Sequence, residues 1–204
     1  MIRALNISYR SRRLIARFSR DNRGLAAVEF AFIVPLMLVL LFGMIDGSGG
    51  VAIKRKLALN VRSVSDIISQ GSRATATDIQ NVFGLGGAIM TPYSVAPDVM
   101  TQKVTQLAVD ASKNVKVVWS YSGTISGSNA ATVAPGYSPG TTVSTVPANL
   151  LVPNTYLIWS EVSYKYTPIT GYAFGVAVIP LKDETFTRPR QTDCVLYGTA
   201  TSCS

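Results

Sequence analysis

The chain of 204 residues contains no histidine. This absence excludes the Ser-His-Asp and Cys-His arrangements of nucleophilic catalysis and every metal site that uses imidazole ligands. Its two cysteines, Cys194 and Cys203, both lie in the last eleven residues, and two thiols alone make a poor metal site. Phosphate-binding loops and dinucleotide-binding fingerprints are also absent. The sequence therefore predicts neither a bound metal nor a cofactor.

Charge is scarce and unevenly placed, since only 15% of the residues are charged and the net charge is +8. Residues 1–24 hold seven arginines and one aspartate, whereas residues 25–204 hold 12 basic and 10 acidic side chains. Most of the net charge therefore lies in the first 24 residues. A basic cluster beside an apolar run is a signal for membrane topology rather than a phosphate-binding surface. We expect no nucleic-acid partner.

The longest apolar run is Leu25–Ile45, which has 21 residues and one charge, Glu29. At about 1.5 Å per residue it crosses a hydrocarbon core of roughly 30 Å, and it is longer than the apolar part of a signal peptide. The positive-inside rule places residues 1–24 in the cytoplasm and the rest outside. Basic residues that weaken this asymmetry follow the span, at Lys54, Arg55, Lys56 and Arg62.

Glu29 is the informative residue of this run, because a carboxylate in the apolar part of a bilayer costs about 2.5–3.5 kcal/mol. One interpretation is that its side chain reaches the lipid headgroups and has no further role. The alternative is a functional role, which its surroundings favour. A run of arginines ends at Arg23-Gly24, an apolar run begins at Leu25, and Glu29-Phe30 lies inside it.

This arrangement resembles the processing site of type IV prepilins, which has a basic leader, a cut after glycine and glutamate at the fifth mature position. The segment GLAAVEFAFIVPLMLVLLFGMID is most similar to the TadE-like pseudopilins of the tight-adherence (Tad/Flp) pilus system. Phe30 favours the minor pilin or pseudopilin branch, since tyrosine usually follows the glutamate in the major pilin. Weaker similarities are the strand EVSYKYTP and the RPR near the C-terminus, whereas the glycines after Asp46 depart from the family pattern.

The resemblance implies a role in pilus assembly rather than catalysis. A prepilin peptidase would cut between Gly24 and Leu25, and Glu29 would then pair with the new α-amino group of Leu25 on an adjacent subunit. The implied partners are that peptidase, other pilin and pseudopilin subunits, Tad platform proteins of the inner membrane, and the lipid bilayer. The implied location is the bacterial inner membrane, with one span and a periplasmic C-terminal domain, or an extracellular pilus.

Two other classes of function stay open. The first is a signal-anchored periplasmic binding or scaffold protein that is never cut. The second is a membrane-tethered hydrolase, which needs two carboxyl groups that face each other. Glu161 with Asp110 or Glu184 is the candidate pair, although solvated surface charges are the more ordinary reading of these residues.

Residues 46–70 carry two patterns. Three glycines in Asp46–Gly50 interrupt the helical pattern and predict a hinge, because each costs about 1 kcal/mol relative to alanine in a helix. Apolar residues then recur at spacings of four, four, three and four, which predicts an amphipathic helix with one buried stripe. That stripe consists of Ile53, Leu57, Val61, Val64 and Ile68.

Residues 71–204 predict an exported α+β head in which a small antiparallel sheet packs on the long N-terminal helix, as in pilins. Thr77 and Gln80 fit a capping box for a short helix that the glycines at 84, 86 and 87 end. Further predicted elements are a hairpin of Val104–Val109 and Val115–Trp119, a long loop from Ser122 to Pro147, and strands Thr155–Tyr166 and Thr185–Thr187. Residues 171–181 fit a helix or a strand equally well.

The chain thus divides by sequence into a basic leader (1–24), a transmembrane helix (25–45), a hinge with an amphipathic helix (46–70) and the head (71–204). If the head is exported, its environment is oxidising. We therefore favour a disulfide between Cys194 and Cys203, with two free thiols or a bond to another chain as the alternatives.

Overall fold

The computed structural model describes residues 23–126, 130–168, 171 and 178–203. They form an α+β fold with a long N-terminal helix and a five-stranded antiparallel sheet, as predicted. The chain divides after Asp46 into two units, residues 1–46 and 47–204. Most of the predicted leader, residues 1–22, lies outside the described residues.

The first helix, α1, runs without a break from Arg23 to Gln70. The predicted interruption of the helix at the glycine cluster is therefore wrong. Glycine weakens a helix but does not forbid it, and here Gly49 leaves room for an aromatic side chain. A Cβ atom on Gly49 would lie 3.1 Å from the hydroxyl oxygen of Tyr166, and one on Gly50 would lie 3.6 Å from its ring.

The second half of α1 carries the predicted stripe, and this prediction is confirmed. Ile53, Leu57, Val61, Val64 and Ile68 are each at most 4% exposed. The first three pack with Met90, Met100, Val162 and Tyr164, and the last two join a larger cluster around Phe83 and Ile158. The stripe thus covers the inner face of the sheet.

The second helix, α2, covers Ala76–Met90 and begins two residues earlier than predicted. Its N-cap is Thr75, whose hydroxyl accepts from the backbone N–H of Asp78, while the Asp78 carboxylate accepts from the Thr75 N–H at 2.9 Å. The Thr75 hydroxyl also donates to the Asp78 carboxylate at 2.7 Å, and this bond, together with the one from the Thr75 N–H, holds the pKa of Asp78 below its usual value. A carboxylate at this position also interacts favourably with the helix dipole. The neutral side chain of Gln80, the partner predicted for the capping box, would lack this interaction.

The glycines of α2 do not end the helix at residue 87, which is a second correction. Gly86 is buried, and a Cβ atom there would collide with the side chains of Gln102 and Asn60. Asn60 donates to the carbonyl of Gly86 at 3.1 Å, so the missing side chain lets α2 approach α1 and the sheet closely. This glycine therefore serves packing rather than helix termination.

The main sheet consists of β2 (Met100–Val109), β3 (Val115–Ser126), β4 (Ala130–Pro135), β5 (Thr155–Tyr166) and β6 (Ile179–Thr187). Its strand order is β4-β3-β2-β5-β6, and all neighbours are antiparallel. The predicted β2–β3 hairpin and the bounds of β5 are confirmed. The last predicted strand starts six residues earlier, at Ile179, and residues 172–177 of the ambiguous segment lie outside the described residues.

The predicted loop from Ser122 to Pro147 is largely wrong. Its first part extends β3 and forms β4, which pairs with β3 from Tyr121 to Ser126. Its second part lies on the outer face of the sheet, where it contributes to a third hydrophobic cluster. The members from this segment are Tyr137, Val143 and Val146, followed by Leu150 and Leu151 around a 3₁₀ turn at Ala148–Leu150. Sparse apolar residues are thus enough to hold this segment against the sheet.

A short parallel pair, β1 (Arg73–Ala74) and β7 (Leu196–Tyr197), ties the C-terminal segment to the end of α1. The residue before β7, Val195, is fully buried. Its N–H donates to the side chain of Gln106 at 2.8 Å, and its carbonyl accepts from the indole N–H of Trp119 at 2.9 Å. The C-terminal segment is therefore part of the core.

Candidate functional site

The first half of α1 is apolar and exposed. Among the described residues, one helix, starting at Gly24, is long and apolar enough to cross a membrane, and none of its most apolar stretch is buried. Side chains that are more than 60% exposed are Leu25, Phe30, Phe32, Leu36, Met37 and Met44. So much apolar surface within one element marks a membrane or protein contact. The segment fits a membrane anchor.

The residues of the predicted processing site lie together in the first two turns of α1. Leu25 and Glu29 are four residues apart and therefore share one face of the helix. Glu29 is exposed among apolar neighbours. A Cβ atom on Gly24 would have no other atom within 4 Å, so a side chain fits at this position. Cleavage after Gly24 and a role for Glu29 and Phe30 stay predictions.

Two of the three candidate acids come together on the outer face of the sheet. Glu161 on β5 and Glu184 on β6 are register partners. The hydroxyl of Tyr137 donates to Glu161 at 3.2 Å, and the indole N–H of Trp159 donates to Glu184 at 3.0 Å. Burial raises the pKa of Glu161, and nearby Lys103 and Tyr137 offset part of this rise.

Asp110, the third candidate, does not join this pair. It lies in the turn between β2 and β3, where its carboxylate accepts from the backbone N–H groups of Ser112 and Asn114, each at 2.8 Å. Hydrogen bonds to Asn114 and then Ser112 hold its pKa below the usual value. The role of Asp110 is therefore to close the turn.

The two cysteines are adjacent in space. Cys194 and Cys203 are joined as a disulfide in the structure, with Cα atoms 6.3 Å apart, which is within the range that such a bond needs. The hydroxyl of Tyr156 donates to the carbonyl of Cys203 at 3.1 Å and holds the end of the segment on the sheet. Within the described residues, no group of three or more Cys, Asp or Glu side chains could hold a metal ion.

Sequence reasoning did not identify the neighbours of Glu161, which are Lys103, Tyr137 and Trp159. The alternation of β5 puts Trp159 and Glu161 on one face, so this part of the signal was present. Tyr137 comes from the segment after β4, and nothing in its local sequence indicates where that segment crosses the sheet.

Residues 24–58 match the family model of the TadE-like proteins. The match covers the exposed apolar half of α1 and the start of its buried stripe, and it confirms the resemblance over this stretch. Over these residues the chain is therefore similar to TadE-like proteins. No curated protein and no solved structure matches the chain.

Proposed function

We propose that this chain is a minor pilin, or pseudopilin, that takes part in assembling a Tad/Flp-type pilus. The observation that supports this most is the segment Leu25–Ile45, which is apolar and almost wholly exposed within the TadE-like stretch. A helix of this kind rests stably in a bilayer and, without lipid, against the helices of neighbouring subunits. Such a segment serves first as an anchor and then as an assembly surface.

The proposed topology follows from charge. Residues 1–24, with a net charge of +6, stay at the cytoplasmic face of the inner membrane, and the unit from Gly47 onward lies in the periplasm. The subunit then either remains in the membrane at the pilus base or enters the extracellular pilus.

In the proposed mechanism, a prepilin peptidase hydrolyses the peptide bond between Gly24 and Leu25. Cleavage removes the arginines that hold the N-terminus at the cytoplasmic face and creates an ammonium group on Leu25. The Glu29 carboxylate of one subunit then pairs with the ammonium group of a neighbour. An unpaired charge among apolar helices is costly, and this pairing offsets much of that cost. The charge pair sets the register, and apolar contacts supply adhesion.

The role is structural rather than enzymatic. The proposed partners are the prepilin peptidase, the other pilin and pseudopilin subunits, and the platform proteins of the Tad system in the inner membrane. Each of these contacts involves the first half of α1 or the bilayer around it, which leaves the unit from Gly47 onward available for further contacts.

Processing is tested by Gly24→Ala, with Gly43→Ala as the matched control. Both glycines lie in α1, and an added methyl group at either meets no other atom within 4 Å, so neither change disturbs packing. We expect the G24A protein from membranes to keep residues 1–24, whereas the G43A protein and the parent chain lose them. Intact mass spectrometry distinguishes these forms. Removal of the leader from the G24A protein would contradict the proposed cleavage rule.

An uncut, signal-anchored scaffold protein is the second candidate. The observation that favours it is that residues 47–204 form a unit with its own hydrophobic clusters, which would serve a binding role equally well on a permanent anchor. Such a protein would have the same mass in strains with and without the prepilin peptidase. The proposed pseudopilin would be heavier in the strain that lacks it.

A further inference from the structure

One end of the main sheet carries exposed apolar residues that the proposed function does not use. Val178 and Ile179 are 45% and 40% exposed, and Pro180, the second residue of β6, is exposed as well. We refer to these three adjoining residues as the tip patch. Adjoining apolar side chains on a surface are typical of a contact with a membrane or with another protein.

The pairing of β6 fixes which end of the sheet this is. Ile179 is the register partner of Tyr166, whose hydroxyl oxygen would lie 3.1 Å from a Cβ atom on Gly49. At the other end of β6, the hydroxyl of Ser65 donates to that of Thr187 at 2.8 Å. The strand therefore runs along the second half of α1, and the tip patch lies at the Gly49 end.

The Gly49 end is close to the point where the chain leaves the apolar segment. Leu25–Ile45 ends four residues before Gly49, and α1 continues through both. Four helical residues rise by about 6 Å. The headgroup layer on each side of a hydrocarbon core is roughly 5–8 Å thick. When Ile45 lies at the edge of the hydrocarbon core, the Tyr166 side chain beside Gly49 therefore lies among lipid headgroups.

Tyrosines gather at the same end of the sheet. Tyr164 packs with Tyr93 and Tyr166 in the cluster that also holds the start of the α1 stripe. Tyr164 is buried, whereas Tyr93 and Tyr166 are partly exposed. Tyrosine is enriched at membrane–water interfaces, because its ring is apolar and its hydroxyl is polar. Tyrosines behind an apolar tip fit a surface that enters the headgroup layer.

Charge at this end of the sheet is nearly balanced. Lys165 is exposed, and among the residues that the structure describes it has no ion-pair partner. An exposed acid, Asp98, precedes Val99, whose carbonyl accepts from the Lys165 N–H at 2.8 Å. Lys54 is paired with Asp183 at 3.6 Å. Burial of apolar side chains, rather than net charge, would therefore hold this end at a lipid surface, with Lys165 in reach of a phosphate.

The opposite end of the sheet has a different composition. There β2 and β3 are joined by residues 110–114, whose sequence is Asp-Ala-Ser-Lys-Asn. The Asp110 carboxylate accepts from the backbone N–H groups of Ser112 and Asn114, so this turn satisfies its own polar groups. A polar turn of this kind suits water, whereas an apolar tip with tyrosines and a lysine suits a membrane interface.

We propose that the tip patch rests in the headgroup layer of the bilayer that holds the first half of α1, on the periplasmic side. Val178 and Ile179 reach the boundary of the acyl chains, Tyr93 and Tyr166 lie among the headgroups, and Lys165 contacts a lipid phosphate. The short distance along the chain favours lipid over a second copy of the protein, because the membrane is always within reach. The proposal rests on the anchor and the topology of the proposed function.

The test is the quenching of introduced tryptophans by brominated lipid. The full chain is reconstituted into phosphatidylcholine vesicles with bromine on the acyl chains near the headgroup, and plain vesicles serve as the reference. Val178→Trp should lose emission in the brominated vesicles. Val152→Trp should not, and it is the matched control because Val152 is 39% exposed and lies just before β5, at the opposite end of the sheet. The parent chain gives the background from the buried Trp119 and Trp159.

Phe42→Trp, within the apolar segment, shows separately whether α1 lies in the bilayer. Quenching of Phe42→Trp and Val178→Trp, but not of Val152→Trp, would support the proposal. Quenching of Phe42→Trp alone would overturn the proposal and leave the anchor of the proposed function intact. Absence of quenching in every variant would contradict the anchor as well.

Ile179→Trp replaces Val178→Trp if that protein fails to fold, and the same outcomes apply. Equal quenching of the tip variant and Val152→Trp would overturn the proposal, because the lipid contact would not be confined to one end of the sheet. Emission of the tip variant that shifts to shorter wavelength as the protein-to-lipid ratio rises, without quenching by bromine, would identify a second copy as the occupant and overturn it too.

Discussion

The two halves of α1 are both apolar, yet their side chains lie in opposite environments. In the second half Ile53 and Leu57 are at most 1% exposed, whereas in the first half Phe30 and Phe32 are 69% and 79% exposed. The second half has one buried apolar stripe and mostly polar or small residues elsewhere, while the first is apolar all round. A stripe indicates a partner on one side, and an all-round apolar surface indicates lipid or several neighbouring helices. The second half thus packs within its own chain, whereas the first half is suited to contacts with lipid or with other chains.

Polar contacts follow the same division. In the second half, Lys56 donates to the carbonyls of Ile89 and Thr91 at 2.8 and 2.9 Å, and Asn60 donates to Gly86. These hydrogen bonds hold the second half of α1 against α2 and the segment that follows it. The first half carries one ionisable side chain between Leu25 and Ile45, that of Glu29. We therefore expect mutations in the first half to impair pilus assembly and mutations in the second half to lower the stability of the fold.

The largest effect is expected for Glu29→Ala. The protein should still enter the membrane and fold, but pili should be nearly absent by electron microscopy, because loss of one member of a buried ion pair costs about 3–5 kcal/mol. Gly43→Ala is the control, since it lies in the same helix, leaves the charge unchanged and adds a methyl group that meets no other atom within 4 Å. Normal piliation in the Glu29→Ala strain would count against the pairing mechanism.

The next effect concerns the second half. Leu57→Ala should reduce the free energy of unfolding by about 2–5 kcal/mol, because it empties a fully buried position. Leu59→Ala on the same helix, at a position 56% exposed, should change it by less than about 0.5 kcal/mol. Denaturant titration of the full chain in detergent measures both. If both changes lower the free energy of unfolding equally, burial of the stripe does not stabilise the fold.

A smaller effect is expected at the C-terminal segment that pairs with β1. Replacing Cys194 and Cys203 together by serine should lower the free energy of unfolding by about 2–3 kcal/mol, the value for closing a short loop. Thiol labelling of the native protein without reductant should modify neither cysteine, and labelling after reduction and unfolding should modify both. Full labelling of both cysteines under native periplasmic conditions would contradict the disulfide.

The smallest effect is a pH dependence that arises on the outer face of the sheet. Because burial raises the pKa of Glu161, the carboxyl group of Glu161 holds its proton more tightly in the folded chain than in the unfolded chain. Stability should therefore fall as pH rises from the ordinary carboxyl pKa to the raised one. Glu161→Gln should lose this decline, as measured by melting temperature across acidic pH. If the Glu161→Gln protein shows the same decline, the pH dependence arises from other titratable groups.

The sequence predicted the elements in which one pattern dominates. The stripe of α1 and strand β5 have strong periodicity, and the structure has both where the pattern indicates. The candidate processing site in the first turns of α1 was predicted from its charge, since Glu29 interrupts a long apolar run, and its role stays a prediction.

Other features depend on contacts that no local pattern contains. Gly86 fits a helix end by sequence, but the side chains of Gln102 and Asn60 make it a packing position inside α2. Gly49 is a milder case, because a Cβ atom there would lie 3.1 Å from the hydroxyl oxygen of Tyr166 on a distant strand. Tyr137 reaches Trp159 through the path of a segment rich in serine, threonine and glycine, so this ring contact had no signal in the sequence.

The most direct test of the central claim is the N-terminal sequence of the protein purified from the membranes of its own cells. The account predicts that the chain begins at Leu25, four residues before Glu29, in cells with an active prepilin peptidase. A chain that still carries residues 1–24 in such cells would contradict it and leave a permanently anchored protein.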